Sequence, residues 1–325
     1  EWEDETEGDE KSLAPVAILD AVRRHAGKLT VVAEAGRIAV PRKPQSLLPL
    51  LEGAIHTVTR TGGTFHPKVW VLRYVSANEG MEDTRYRVLC SSRNLTFSRA
   101  WDAAVVLDGR IEQDGTADEG GELAGFIEGV SGMIEASPTG LDRRRAEKLR
   151  LMAEECRNVR FELPDGVDAV SMHAIGFGQD FDFRPASKTN RRLTVSPFLG
   201  DSVVSELAGP ESTLISRQEE LDALSHNPLD NHEAVYVLSD LTDAESGEGE
   251  PVGDDLSGLH AKVFVEDRGW SSRMVVGSAN ASAKAFENNI EFVVTLEGRM
   301  KRIGAKAILG DSKNGLLKVL NPYVR

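Results

Sequence analysis

Residues 66–73 read HPKVWVLR, and residues 260–267 read HAKVFVED. Each stretch opens on His-x-Lys and runs into an apolar, β-branched segment, Val69–Leu72 and Val263–Val265, of the kind that forms a buried strand. A second strand follows in each copy, within RYRVLCSSRNLT at 85–96 and SRMVVGSANAS at 272–282, and ends in a Ser-x-Asn turn. The turns supply Ser92 and Asn94, then Ser278 and Asn280. An acid heads the third strand, Asp102 or Glu291, and each acid is followed seven residues later by a glycine, Gly109 or Gly298. Agreement at this many points marks an internal repeat, which is far more specific than a lone His-x-Lys.

The repeat extends upstream. LTVSPF at 193–198 reads as a strand, 199–208 as a helix, and TLISR at 213–217 and AVYVLSD at 234–240 as two further strands. TVVAE at 30–34 parallels TLISR. The helical LAPVAILDAVRRHAG, with Ile18, Leu19 and Val22 on one face, parallels the helix at 199–208. A counterpart of LTVSPF would fall in residues 1–12, which are too acidic for a core strand, so the first half is expected to lack its opening strand. Residues 141–156 read as a connecting helix whose Arg143, Arg144, Arg145, Lys148 and Arg150 are most simply a solvated face, with nucleic-acid contact the alternative. Arg184, Lys188, Arg191 and Arg192 read the same way. Strands alternating with helices predict a mixed α/β (α+β) protein of two similar half-domains. The expected organisation is an acidic mobile tail at 1–10, a first half at 11–140, a connecting helix at 141–160 and a second half at 161–325.

The chain of 325 residues is long enough for one large domain or two medium ones. No apolar run reaches the ~20 residues needed to span a bilayer, and no signal peptide opens the chain, so no membrane insertion is expected. Two cysteines make no disulfide framework and predict a cytoplasmic protein. The chain opens on Glu1, as a fragment or a processed product would. The formal charge of −14 argues at face value against nucleic acid. Its distribution changes that reading. Residues 1–10 hold seven acids and residues 243–255 hold six, with no base in either, and without them the charge is only −1. A solvated tail and a solvated loop are the simplest reading of both. Because 243–255 ends shortly before His260, an acidic gate over the site is the sharper alternative.

The residue set, present twice, suits phosphodiester chemistry. Neutral imidazole is a nucleophile near pH 7 and protonated imidazole a general acid. Two histidines at one centre push their pKa values apart, giving one of each. Lysine charge and asparagine amides stabilise phosphoryl oxygens. A carboxylate behind an imidazole sets its tautomer and aims the other nitrogen at the substrate. No Gly-rich phosphate loop and no metal-ligand cluster is visible, so neither cofactor nor metal is expected. Cys90, Trp70 and Trp101 read as core, His173 as structural, and Asp267 as a turn or strand-end residue.

These residues resemble the HKD motif of the phospholipase D superfamily, His-x-Lys-x4-Asp followed by Gly-Ser-x-Asn. The second copy matches through His260, Lys262, Asp267, Gly277, Ser278 and Asn280, with Glu291 downstream. The first has His66, Lys68, Ser92 and Asn94, with Arg73 in place of the aspartate, Ser91 in place of the glycine, and Asp102, one methylene shorter, as its acid. The resemblance implies a two-lobed fold with a pseudo-twofold axis. One histidine would form a phosphohistidine, by family precedent the N-terminal His66, while the other protonates the leaving oxygen. It implies His66, Lys68, Asn94, Asp102, His260, Lys262, Asn280 and Glu291 as catalytic residues, with Ser92 and Ser278 binding substrate. The expected function is a metal-independent nuclease on DNA or RNA. By analogy it would act in phage defence or restriction, with other domains or subunits of a defence complex as its expected partners. The alternatives are a lipid phosphodiesterase or phosphatidyl transferase, and a catalytically weak module of a larger protein. Both motifs lie in one chain, so a homodimer is allowed but not required.

Overall fold

The computed structural model describes residues 15–38, 48–76, 84–94, 100–112, 120–178, 189–225, 227–239, 258–311 and 313–325. The acidic stretches at 1–10 and 243–255, and Arg184 and Lys188, lie outside these residues. The first half begins with helix α1, Pro15–Ala26, and continues through strands β1 (Val31–Glu34), β2 (Ile55–Val58), β3 (Val69–Tyr74), β4 (Arg85–Ser91) and β5 (Ala104–Ile111). Helices α2 (Gly121–Glu135) and α3 (Arg143–Cys156) follow, then β6 (Val159–Phe161) and β7 (Val167–Ile175). The second half carries β8 (Arg191–Val195), α4 (Asp201–Leu207), β9 (Gly209–Ile215) and β10 (His232–Leu238). It then carries β11 (Val263–Arg268), β12 (Ser271–Gly277), β13 (Glu291–Arg299) and β14 (Leu320–Pro322).

The mixed α/β class read from the sequence is the class observed. The second half is one eight-stranded sheet in the order β14-β10-β9-β8-β11-β12-β13-β7. Within it β8, β9 and β10 run parallel, and β11, β12 and β13 form an antiparallel meander. The first half repeats both parts. β1 and β2 are parallel, like β9 and β10, and β3, β4 and β5 repeat the meander. In the second half β8 joins the two parts, pairing with β9 on one side and β11 on the other. Among the described residues nothing takes that place in the first half, and its sheet is divided into β1-β2 and β3-β4-β5-β6.

The two meanders share a core. Val88, Cys90 and Leu107 of the first meet Val276, Phe292 and Val294 of the second, and α2 packs on this cluster through Leu123, Phe126, Ile127, Val130 and Ile134. Each such buried side chain contributes roughly 1.5–3 kcal/mol of transfer free energy. Cys90 is fully buried, and burial pushes its thiol up to about 12, so it packs as an apolar group. Gly129 of α2 sits where a Cβ would lie 2.4 Å from the Phe177 ring.

Several surface readings change. Trp70 and Trp101 are 44% and 41% exposed, not core: aromatic residues on an apolar strand resemble core in sequence, but these two fall on uncovered faces. The basic cluster of α3 is partly structural, since Arg145 donates to the carbonyls of Leu29 and Ala26, and Lys148 to that of Gly27, around the end of α1. Arg191 and Arg192 lie on β8 rather than in a solvated loop, close to Glu211 and Glu266 respectively. Among the described residues no helix is long and apolar enough to cross a membrane.

Candidate active site

The site is built where the two meanders meet. His66 and Lys68 occupy the extended segment just before β3, and His260 and Lys262 the same segment before β11. Ser92 and Asn94 follow the end of β4, and Ser278 and Asn280 the end of β12. A pair of β-bridges then crosses the halves: Phe65, before His66, bridges Ile290, and Leu259, before His260, bridges Trp101. In each bridge the residue preceding a histidine lies beside the residue preceding the other half's acid. The His66 N–H donates to the Ile290 carbonyl (2.9 Å), and the His260 N–H to that of Trp101 (2.7 Å).

The crossing decides which acid serves which imidazole. His66 Nδ1 lies 2.9 and 3.0 Å from the two carboxylate oxygens of Glu291. Glu291 is fully buried, and it also accepts from Ser278 Oγ (2.5 Å) and Asn289 Nδ2 (2.9 Å). A carboxylate held at three points is a rigid acceptor. It makes Nδ1 the protonated nitrogen and leaves Nε2 with its lone pair for an electrophile. The acid that serves His66 is therefore Glu291 of the other copy and not Asp102 of its own.

Asp102 is placed differently. Its carboxylate accepts from Ser92 Oγ and from the Ala103 N–H, and lies 3.7 Å from Arg93 Nε. Among the described residues it makes no hydrogen bond to His260. The shorter side chain remains on its own turn, where Glu291 reaches across. Ser92 and Ser278 are both fully buried and both hydrogen-bond the acid of their own copy, so they hold the carboxylates instead of meeting solvent.

The lysines lie beneath the site. Lys68 Nζ donates to the His66 carbonyl (2.8 Å), and Lys262 Nζ to the carbonyls of His260 (2.9 Å) and Ser92 (3.0 Å). Burial lowers Lys68 to about 8, with Glu291 and Asp102 opposing the shift. Burial and the neighbouring Lys68 lower Lys262 to about 7. Burial also lowers His260 to about 4, helped by the charges of Lys262, Arg217 and Arg93. Two ammonium groups that feel each other across the halves form a cationic site that gains from receiving an anion. The Asn280 carboxamide oxygen is buried without a hydrogen-bond partner, and Asn94 is exposed.

The departures of the first motif copy have local explanations. Asp267 is fully buried near the end of β11, where it accepts from Ser272 Oγ (2.6 Å) and the Ala305 N–H (3.1 Å). Arg73, at the matching position, pairs in bidentate fashion with Glu155 of α3 at 2.6 Å for both contacts, and Tyr86 donates to the same carboxylate. Both residues anchor neighbouring structure. Gly277 is required because a Cβ there would stand 2.4 Å from the Phe292 carbonyl oxygen, whereas Ser91 in the first copy donates to the Arg93 carbonyl. His173 lies on β7 with Nε2 3.2 Å from Ser171 Oγ, and burial lowers it to about 4.

The motif pattern did not reveal Asn289, Glu34, Arg93 or Arg217. Asn289 carries no spacing signal; Glu34 and Arg217 do share one, as the last residues of the matched TVVAE and TLISR stretches. A cavity of about 430 Å³ lies behind the His260 segment, lined by Trp101, Leu259, Ala261, Val263 and Leu316 among others.

No family model and no curated protein matches the chain. Among solved structures it is similar to a variant of yeast tyrosyl-DNA phosphodiesterase, with a TM-score of 0.47 and 10% identity over 84% of this chain and 78% of that one. It is also similar to phosphatidylserine synthase of Haemophilus influenzae, with a TM-score of 0.45 and 13% identity over 96% of this chain and 79% of that one. With TM-scores below 0.5, neither adds to what the site's own geometry says.

Proposed function

We propose that this chain is a phosphodiesterase of the phospholipase D type, working through a phosphohistidine without a metal, and that its substrate is a nucleic acid. The observation that carries the reading is the His66–Glu291 pair, set beside a second imidazole and two buried lysines. It supplies an oriented nucleophile, a separate proton donor and charge for the phosphoryl oxygens.

The steps follow from the placement. His66 Nε2 attacks phosphorus, the bond from phosphorus to the leaving oxygen breaks, and His260 delivers a proton to that oxygen. Glu291 stabilises the positive charge that develops on the His66 ring. Water then attacks the phosphohistidine, His260 takes a proton from it, and the P–N bond breaks to restore His66. Burial and its cationic neighbours hold His260 near 4. A bound phosphodiester offsets those charges and raises His260 toward the range where it holds a proton.

A nucleic-acid substrate is supported by the near-neutral body of the chain and by Arg217, which lies beside the exposed Phe198 ring and bonds the residue before His260. The buried free cysteines fit action in the reducing cytoplasm. A restriction or phage-defence role is the setting the motif resemblance suggests. The cavity lined by apolar side chains near Trp101 favours a second reading, a lipid phosphodiesterase or phosphatidyl transferase. Labelled single- and double-stranded DNA and RNA, and phospholipid vesicles, each incubated in EDTA beside a His260→Asn control, separate the two. EDTA-resistant nucleic-acid cleavage that the variant loses supports the first; cleavage of lipid alone replaces it with the second.

A further inference from the structure

The two halves approach their histidines with side chains of opposite charge. Glu34 and Arg217 end matching strand segments, and each bonds the residue just before its half's histidine. Glu34 Oε2 accepts from the Phe65 N–H (2.5 Å), and Arg217 Nε donates to the Leu259 carbonyl (2.8 Å). The position is shared and the charge inverted. The Arg217 guanidinium carbon lies 5.1 Å from the centroid of the Phe198 ring, and Phe198 is 42% exposed. Trp101, also exposed, bridges the same Leu259. Arg217 and Arg93 both act on His260 electrostatically. The His260 side thus holds Arg217 and Arg93 with the exposed rings, Asp102 and Glu219 lying within 4.0 Å of the two arginines, while the His66 side holds Glu34 and Glu291.

We propose that Arg217 and Phe198 form a subsite for the leaving side of a single-stranded oligonucleotide, Arg217 taking the phosphate next to the scissile one and Phe198 stacking the adjoining base. This rests on the nucleic-acid reading above. The assignment to the leaving side follows from His260, which protonates the leaving oxygen and around which these residues gather. A guanidinium matches phosphate geometry and also lies flat on an aromatic ring. Stacking on an aromatic side chain is worth about tenfold or more in affinity per base and tolerates any base. Glu34 and Glu291 disfavour a second phosphate on the other side, so substrate polarity is built into the site.

The test compares kcat/KM on a fluorescent single-stranded tetranucleotide with that on bis(p-nitrophenyl) phosphate, which has one phosphate only. Arg217→Gln is expected to cost the tetranucleotide about 30-fold, at least ten times more than it costs the aryl ester, and to reduce the log–log salt dependence by about 0.7, the value for one single-strand phosphate contact. Phe198→Ala is expected to cost about tenfold on the tetranucleotide and far less when the leaving nucleotide is abasic. Equal losses on both substrates, with an unchanged salt slope, would overturn the subsite and make Arg217 a support for the Leu259 carbonyl. A wild-type protein that hydrolyses the aryl ester and no oligonucleotide would overturn the nucleic-acid reading itself. Oligonucleotide cleavage untouched by either substitution would overturn the subsite alone.

Discussion

His66 of the first half hydrogen-bonds through Nδ1 to both carboxylate oxygens of Glu291, which stands 225 positions away in the second half. His260 has no such contact with Asp102 among the described residues. Two similar sequence copies therefore make an asymmetric pair, with one imidazole oriented by a buried carboxylate and the other set among cations. In the proposed mechanism that difference gives His66 the role of nucleophile and His260 that of proton donor.

The carboxylates should accordingly be unequal. Glu291→Gln removes the acceptor that sets the His66 tautomer, and kcat on bis(p-nitrophenyl) phosphate is expected to fall roughly 10³-fold, by analogy with losing a triad carboxylate. Asp102→Asn, at a carboxylate bonded to Ser92 and Ala103, is expected to cost less than about 30-fold. Steady-state rates on the two purified variants check the order, and a greater loss in Asp102→Asn would reverse it.

The pH profile should fall on the alkaline side. The free protein's ionisations govern kcat/KM. Lys262 loses its proton near 7 and Lys68 near 8, so the positive charge facing the phosphate declines above neutrality. Because His260 holds its proton only below about 4 in the free protein, kcat/KM on an oligonucleotide is expected to decline throughout pH 5 to 9 and to steepen from about 7 upward as the lysines lose charge, and a profile rising to pH 9 would contradict this. Stability runs the other way. Between about 7 and 10.5 the unfolded chain holds the Lys262 proton and the folded chain does not, so folding gains as pH rises through that window. Urea midpoints of the wild type relative to Lys262→Met should therefore increase from pH 7 to pH 10.

Arg73 should matter for stability rather than chemistry. Its guanidinium is paired with Glu155, whose side chain is 10% exposed. Arg73→Ala would leave that carboxylate with Tyr86 but without its cation. Breaking such a pair costs about 3 kcal/mol or more. Urea unfolding should show the loss, and the activity of the folded fraction should match the wild type. A variant of full stability would remove the anchoring role.

The repeat, its strands and the members of both motif copies were legible because a local pattern at fixed spacing encodes them. The crossing of Glu291 to His66 was not, since it depends on bridges between Phe65 and Ile290 and between Leu259 and Trp101 that only the packed halves create. Helix α2 is obscured in the sequence by Gly121, Gly125, Gly129 and Gly132, which depress helix propensity; one of them is needed against Phe177. Arg73 looked like a lost motif residue because its partner lies 82 positions away on α3. The expectation that the first half lacks its opening strand falls on residues 1–12, which lie outside the described residues; among the described residues β1-β2 and β3 belong to separate sheets.

The central claim is that His66 is the nucleophile and His260 the acid. An aryl ester such as bis(p-nitrophenyl) phosphate releases a good leaving group that needs little protonation, so His260→Asn should still form the covalent adduct while its hydrolysis is slowed. Rapid quenching of that variant, followed by peptide mass spectrometry under alkaline conditions that preserve phosphohistidine, is expected to place an aryl phosphate on His66, with none in the His66→Asn variant. An adduct on His260 in His66→Asn, or full turnover by His66→Asn, would contradict the account.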